Sequence, residues 1–278
     1  MSLKIASWNI EGRLTNNDVS ARSTPDKIIA EIRSLDADIL ILLEAHNNLN
    51  LNNLEARNKL EAMGYKLHSV TYNDKMPSRP DDFYKNLSLM ILSKIPIEKP
   101  ETIRLADYRN AIMATIKDPE TNKKIRIIGL HLDDRSEETR VNQVIDLSTI
   151  INSSKVPTIA MGDLNAMHGD DFWPARILQN KLVKFMARFI FKSLSLRTTE
   201  MARGEALSLL QYSTNLIDAD PRHQPTTTPK VRKYDFLPSI RLIQIDHIFA
   251  SPNIKINNFQ ISKDGGADHR AISATISL

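Results

Sequence analysis

The sequence predicts one α/β domain in which short strands and amphipathic helices alternate from end to end. Three observations carry this. Apolar runs of about four to eight residues, the length of buried strands, recur along the chain. Between them lie stretches whose apolar residues fall at helical spacing. No internal repeat, low-complexity tract or Pro/Gly/Ser-rich linker divides them. At 278 residues, with 41% apolar and 25% charged, the chain can bury a sizeable core and is unlike disordered or fibrous proteins.

Lys4 to Ile10 reads as the first strand. Thr24-Pro25 supplies an N-cap and a proline at the first helical position, opening a helix whose Ile28, Ile29, Ile32 and Leu35 share one face. Asp36-Ala37-Asp38 ends it, and Ile39 to Leu43 is a continuous apolar run that suits a strand covered on both faces. Glu44 then places a charge at a strand terminus. Asn53 to Met63 is a second helix, closed by Gly64 just beyond its end. Strands follow near 65–71, 87–92, 102–105 and 110–117, then a turn at Asp118-Pro119-Glu120-Thr121-Asn122. A strand through Lys124–Leu132 leads to a helix at about 137–151, with Val141, Val144, Ile145 and Ile151 facing inward, and to a strand at Thr158–Met161. Residues 172–205 form a basic, helix-rich insertion, after which strands return at roughly 241–250, 254–262 and 270–278.

Composition excludes several chemistries. With no cysteine, the chain has no disulfide framework, no thiolate zinc site and no cysteine nucleophile. It contains neither a Gly-x-x-x-x-Gly-Lys phosphate loop nor a His-Glu-x-x-His zinc motif. The longest aliphatic run, Ile39 to Leu43, is far short of the roughly 20 residues that span a bilayer. Met1-Ser2-Leu3-Lys4-Ile5 leads into polar sequence with no signal-peptide core, so a cytoplasmic protein is expected. Formal net charge is +4, and seven Lys/Arg against two Glu give residues 172–205 +5 by themselves, leaving −1 elsewhere. Within that segment Leu178, Leu182, Phe185, Met186, Phe189 and Ile190 share one helical side, and Lys181, Lys184, Arg188 and Lys192 line the other. Such a helix packs on its own domain, contacts a phosphate backbone or lies on an anionic membrane surface.

Polar clusters stand where apolar runs end: Trp8-Asn9-Ile10-Glu11-Gly12, Leu43-Glu44, Gly129-Leu130-His131, Gly162-Asp163-Leu164-Asn165 and Gln244-Ile245-Asp246-His247. A sixth, Gly266-Ala267-Asp268-His269-Arg270, precedes the last strand. Strand ends far apart in sequence can converge on one rim of an α/β sandwich. Carboxylates gathered there are costly unless a cation or hydrogen bonds compensate them, and a hard divalent ion such as Mg²⁺ suits oxygen donors.

These clusters, in this order and spanning nearly the whole chain, resemble the endonuclease/exonuclease/phosphatase superfamily. The resemblance implies a four-layer α/β sandwich with two mostly antiparallel central sheets, as in deoxyribonuclease I. It also implies Mg²⁺-dependent phosphodiester hydrolysis, with Mn²⁺ as a substitute. Carried over residue by residue, Glu44 is the metal ligand, with Asn9, Glu11 and Asp268 in or beside the coordination shell. His269 activates water or handles the proton, oriented by Asp246, while Asp163 competes with it as general base. Asn165 donates to a phosphate oxygen, and His131 stabilises the phosphorane or protonates the leaving group; Asn9, His131 and Asn165 form the substrate-contacting set. Two departures are visible: Leu43 stands where many members have Gln, and Ala267 where Ser is usual. His131-Leu132 followed by Arg140 and Gln143 looks more like the deadenylase, sphingomyelinase and tyrosyl-DNA phosphodiesterase branches than the abasic-site endonucleases.

The resulting expectation is a monomeric phosphodiesterase acting on nucleic acid, with a lipid or inositol-phosphate phosphoesterase as the alternative and a non-catalytic binding member as a third reading. Glu11 also suits a solvated position after a strand, and Asp246 a turn cap. His46, His68, His168, His223 and His247 read as ordinary surface or hydrogen-bonded histidines, Asp170-Asp171 as a helix N-cap pair, and Tyr108-Arg109 as a solvated loop.

Overall fold

Most strands of this chain are apolar on both faces, so any sheet they form must be covered twice. The computed structural model describes residues 2–12, 25–46, 54–71, 87–98, 100–168, 200–227, 243–263 and 267–278. In chain order these form β1 (Leu3–Asn9), α1 (Pro25–Leu35), β2 (Ile39–His46), α2 (Leu54–Ala62), β3 (Lys66–Thr71), β4 (Leu87–Ser93), β5 (Glu101–Arg104) and β6 (Asn110–Lys117). Then come β7 (Lys124–His131), α3 (Glu137–Asn152), β8 (Thr158–Asp163), α4 (Glu205–Thr214), β9 (Ile217–Asp218), β10 (Asp246–Ala250), β11 (Lys255–Ile261) and β12 (Ile272–Ser277).

The strands make two six-stranded sheets, ordered β11-β12-β1-β2-β4-β3 and β5-β6-β7-β8-β10-β9. Each holds one parallel pair, β1 with β2 and β7 with β8, and is antiparallel elsewhere. Alternation decides which side chains face the partner sheet. Ile5, Ile41 and Ile91 of the first sheet meet Ile112, Ile127, Ile159 and Ile248 of the second in a dry central layer. The opposite faces carry Trp8, Leu40 and Leu42 against Ile28 and Ile32 of α1, and Ile128, Leu130 and Phe249 against Leu147 of α3 and Leu207 and Leu210 of α4. At about 1.5–3 kcal/mol per buried aliphatic side chain, these three layers supply the main driving force. The fold is therefore the four-layer α/β sandwich with two mostly antiparallel central sheets. Gly64, at φ 89° after α2, takes the left-handed position that ends the helix.

Differences from the sequence reading have identifiable causes. The helix at 137–151 forms, but Ile145 is 50% exposed. Val144 and Ile151 are buried as expected, and the same face also carries Glu137, Arg140, Gln143 and Leu147. Three polar residues on that face misdirect an apolarity count; they are buried because they anchor loops. Arg140 donates to Glu137 at 2.7 Å and to the carbonyl of Asp133 at 2.8 Å, while Gln143 accepts the Asp133 N–H at 2.9 Å. Glu137 also accepts the N–H of Ala206 at 2.8 Å, joining α3 to the start of α4, a helix the sequence reading did not place. Of the strand expected at 241–250, β10 spans Asp246–Ala250; before it Ile243 bridges to Thr227, and Ile245 accepts the Leu164 N–H at 2.8 Å. The amphipathic helix residues of the basic insertion (178–192), Asp170-Asp171 and Thr24 lie outside the described residues.

Ser136 caps α3, its side chain accepting the Thr139 N–H at 3.3 Å. Ser136→Ala should cost about 1 kcal/mol and lower the melting temperature by a few degrees. An unchanged melting temperature would contradict the cap's contribution.

Candidate active site

Topology brings the polar clusters to one rim. Parallel pairing sets the C-terminal ends of β1 and β2 side by side, as it does those of β7 and β8. Antiparallel pairing brings the start of β10 to the end of β8, with Asp246 opposite Asp163, and the approach to β12 beside the end of β1. On the inward-facing register stand Asn9, His131, Asp163 and Asp246, continuing the rows of Ile5, Ile127, Ile159 and Ile248. Trp8 faces the other way and donates its indole N–H to the carbonyl of His269 at 3.0 Å, fixing the backbone that carries that imidazole.

Glu44 needs a special device, since simple alternation after Leu43 would send it to the helix-covered face. The β2–β4 register shifts between Leu42 and Ala45, a β-bulge, and Glu44 adopts φ 52°. Glu11 (φ 51°) and Asn165 (φ 49°) are also left-handed. Non-glycine residues in this region store strain, about 1–3 kcal/mol each, that the surrounding structure must hold.

Asn9 bridges the two sheets, its amide nitrogen donating at 3.2 Å to Glu44 and at 3.2 Å to Asp163. Its oxygen accepts the backbone N–H of Glu11 at 3.1 Å, so the Glu11 turn sets the Asn9 amide. Two imidazoles approach the same Asp163 oxygen, His131 Nε2 at 3.6 Å and His269 Nε2 at 3.7 Å. His131 Nε2 lies 3.9 Å from Glu44. His269 Nδ1 donates to Asp246 at 2.8 Å, which selects the ring orientation. Asn165 offers its backbone N–H to Asp163 at 2.9 Å and one amide N–H to the carbonyl of Leu132 at 3.1 Å. An amide carries two N–H bonds, so a second remains for a phosphoryl oxygen. Asp268 lies beside this group: its charge acts on both Glu44 and His269.

Electrostatics separates these groups. Glu44 is pushed up to about 7 by burial and then by the charge of Asp268, against the hydrogen bond from Asn9. Asp163 also rises to about 7, through burial first, with His269 pulling it down and Asp246 pushing it up. His269 reaches about 10: burial opposes its charge, but Asp246, Asp268 and Asp163 outweigh that. His131 is held well below the usual imidazole range by burial, then by the charges of Arg109 and His269. At neutral pH the site thus pairs a cationic with a neutral imidazole.

Carboxyls whose folded values lie above their free values, about 4.3 for Glu and 3.9 for Asp, contribute stability that is complete below about pH 4. For Glu44 and Asp163 that stability is lost as pH rises through about 7. Metal-free Glu44→Gln should therefore melt above the wild type at pH 8 and alongside it at pH 4.5. Thermal melts in EDTA check this; a variant melting lower at pH 8 would contradict it.

The site's residues fit a divalent cation. Glu44 and Asp268 crowd one another enough to raise the Glu44 proton affinity, and oxygen donors of this kind favour hard ions such as Mg²⁺. Asp163, Asp246 and His269 also bring ligating atoms within 4.8 Å of one another. Asp246 Oδ1 there is buried with no hydrogen-bond partner among the described residues. Because His269 Nδ1 is already bonded to Asp246, that trio could handle a proton while the Glu44–Asp268 side could hold a cation.

Arg109 was expected in a solvated loop, but it is only 2% exposed, with Nη2 3.5 Å from Asp134 and 3.8 Å from Asp133. Its charge reaches His131. The Asp133-Asp134 pair just after the His131 strand was the available sign that a buried cation was needed.

The family model described as the endonuclease/exonuclease/phosphatase family matches residues 6–273. The chain belongs to the endonuclease/exonuclease/phosphatase family. It is accordingly a hydrolase of phosphoester bonds. Solved structures of the same fold match nearly the whole of this chain at low identity. An endonuclease/exonuclease/phosphatase from Beutenbergia cavernae is 18% identical with a TM-score of 0.70, covering 100% of this chain and 72% of that one. The human Nocturnin catalytic domain is 18% identical with a TM-score of 0.62, covering 99% and 94%. The mannosyl-6-phosphatase Bt3783 of Bacteroides thetaiotaomicron is 15% identical with a TM-score of 0.61, covering 100% of both. No curated protein sequence matches the chain. Among the described residues no helix is long and apolar enough to cross a membrane.

Proposed function

We propose that this endonuclease/exonuclease/phosphatase-family hydrolase is a monomeric, Mg²⁺-dependent phosphodiesterase of nucleic acid, with Mn²⁺ as a substitute cation. The observation that carries the substrate class is the charge distribution: residues 172–205 hold +5 while the rest of the chain sums to −1, and this segment follows closely on the loop carrying Asn165. A polyanionic backbone is the partner such a concentration favours.

Glu44 and Asp268, with Asn9 and Glu11 beside them, would hold the cation, which supplies charge neutralisation on the phosphoryl group and on the leaving oxygen. Asp163 takes the proton of the attacking water, since its affinity near pH 7 suits a base at neutral pH. The water oxygen bonds to phosphorus as the bond to the ester oxygen breaks, and charged His269, steadied by Asp246, returns a proton to the leaving oxygen. Asn165 and His131 orient the phosphoryl oxygens. The products are a phosphomonoester and an alcohol.

A sugar- or lipid-phosphate substrate is the competing reading, and the mannosyl-6-phosphatase among the structural neighbours illustrates it. A substrate panel separates the two: abasic, nicked, single-stranded and 5′-tyrosyl DNA, RNA, sphingomyelin, and inositol and sugar phosphates, each with Mg²⁺ and with EDTA. Turnover confined to nucleic acid and suppressed by salt is expected. Turnover confined to lipid, inositol or sugar phosphates would overturn the nucleic-acid reading.

A further inference from the structure

β10 carries two kinds of site on its two faces. Asp246 points between the sheets to the catalytic cluster; the next residue, His247, faces outward beside Phe249 and is fully buried. Three separate segments meet there. His247 Nδ1 lies 3.0 Å from Oδ2 of Asp218 on β9, and His168 Nε2, from the loop after β8, lies 2.8 Å from the same oxygen. The three ligating atoms are all within 4.8 Å of one another. The ring of His223 lies flat on that of His168, 3.9 Å between centroids and 5° between planes.

Proton bookkeeping shows that this contact needs a shared cation. His247 Nε2 stands 3.1 Å from the carbonyl oxygen of Ala166, which can only accept, so Nε2 carries a hydrogen. In a neutral ring that leaves Nδ1 as a lone pair aimed at a carboxylate oxygen. Two lone pairs face each other at 3.0 Å only when a cation lies between them, either a proton or a metal ion. A backbone carbonyl holding the far nitrogen is the arrangement that metal-bound histidines ordinarily show. Ligand bonds of about 2.0–2.1 Å place neighbouring donors roughly 2.9 Å apart at right angles and about 3.4 Å apart in a tetrahedron, so the observed 2.8 and 3.0 Å match the right-angle separation and would open by a few tenths of an ångström around a tetrahedral ion. Two imidazoles and one carboxylate form a borderline donor set that suits Zn²⁺, unlike the oxygen-rich group around Glu44.

We propose that His168, Asp218 and His247 form a structural zinc site, distinct from the catalytic cluster and on the opposite face of the second sheet. The ion joins the loop after β8 to β9 and β10. Because His168 follows Asn165 by three residues, it steadies the loop from which Asn165 projects.

Full-length protein stripped with chelator and titrated with Zn²⁺ by calorimetry, and with Co²⁺ by visible absorption, tests this. Wild type and Glu44→Ala should each bind one Zn²⁺ in the presence of millimolar Mg²⁺, with Co²⁺ bands in the 500–650 nm range. His168→Gln, at the least buried edge of the cluster, and Asp218→Asn should weaken that binding about 100-fold or more and abolish the Zn²⁺-dependent rise in melting temperature. Circular dichroism confirms that the variants are folded; should Asp218→Asn unfold, His168→Gln decides the matter. Zn²⁺ binding unchanged in His168→Gln, or lost instead in Glu44→Ala, would overturn the proposal. So would the absence of any Zn²⁺ binding to the wild type, which would leave the cluster held by a proton. None of these readouts requires phosphoesterase activity.

Discussion

Glu44→Ala should lower phosphoester hydrolysis by on the order of 10³-fold while leaving the protein folded. Glu44 sits on a bulge in a strained, left-handed conformation, and its carboxyl resists ionisation because burial and Asp268 raise its proton affinity to about 7. Alanine relieves that electrostatic cost, so a loss of activity in this variant cannot be ascribed to unfolding. His269→Ala should be comparably inactive, but the 2.8 Å hydrogen bond to Asp246 complicates it. Removing the imidazole leaves a buried carboxylate without its cation, a loss that costs about 3–5 kcal/mol. The double variant His269→Ala/Asp246→Asn removes that charge and should be folded and still inactive. Wild-type rates in a pure, folded Glu44→Ala or double variant would contradict the assignment.

Gly162→Ala should be severely damaging, lowering stability by on the order of 3 kcal/mol or more and the melting temperature by about 6–12 °C. Gly162 has φ 152°, a region closed to residues with a side chain, and a Cβ built there overlaps the carbonyl oxygen of Leu130 on the neighbouring parallel strand. Leu130 precedes His131 and Gly162 precedes Asp163, so the close approach of the two strands is what sets imidazole and carboxylate side by side. A folded remnant of the variant should also lose activity. Urea unfolding and thermal melts measure the first effect; a variant as stable as the wild type would show that the approach is not rigid.

What the sequence made legible follows from chemistry. A polar residue at the end of a run as apolar as Ile39 to Leu43 has no packing reason to be there, so Asn9, Glu44, His131, Asp163, Asp246 and His269 stand out individually. Their convergence depends on strand pairing, which one sequence does not display; the family resemblance supplied it. Features that depend on one backbone torsion or one buried partner were hidden. The bulge that turns Glu44 inward leaves no mark in the pattern. Arg109 looks like any exposed arginine until Asp133 and Asp134 are placed beside it. On the inward face of α3, Val144 and Ile151 were legible, but Ile145 is exposed and Arg140 and Gln143 are buried for their hydrogen bonds, which an apolarity count treats as exposure. His168 and His247 each look ordinary alone, and only the shared Asp218 oxygen makes them a cluster.

We propose that the rim cluster around Glu44 and Asp163 hydrolyses phosphoester bonds with a divalent cation. It is tested most directly by following cleavage of an end-labelled oligonucleotide by chelator-stripped protein, with and without added Mg²⁺, in the wild type and in Glu44→Ala. Stripped wild type should not cleave and should recover fully on adding Mg²⁺, whereas Glu44→Ala should not recover. Cleavage by the stripped wild type, or Mg²⁺-restored cleavage by Glu44→Ala at the wild-type rate, would contradict it.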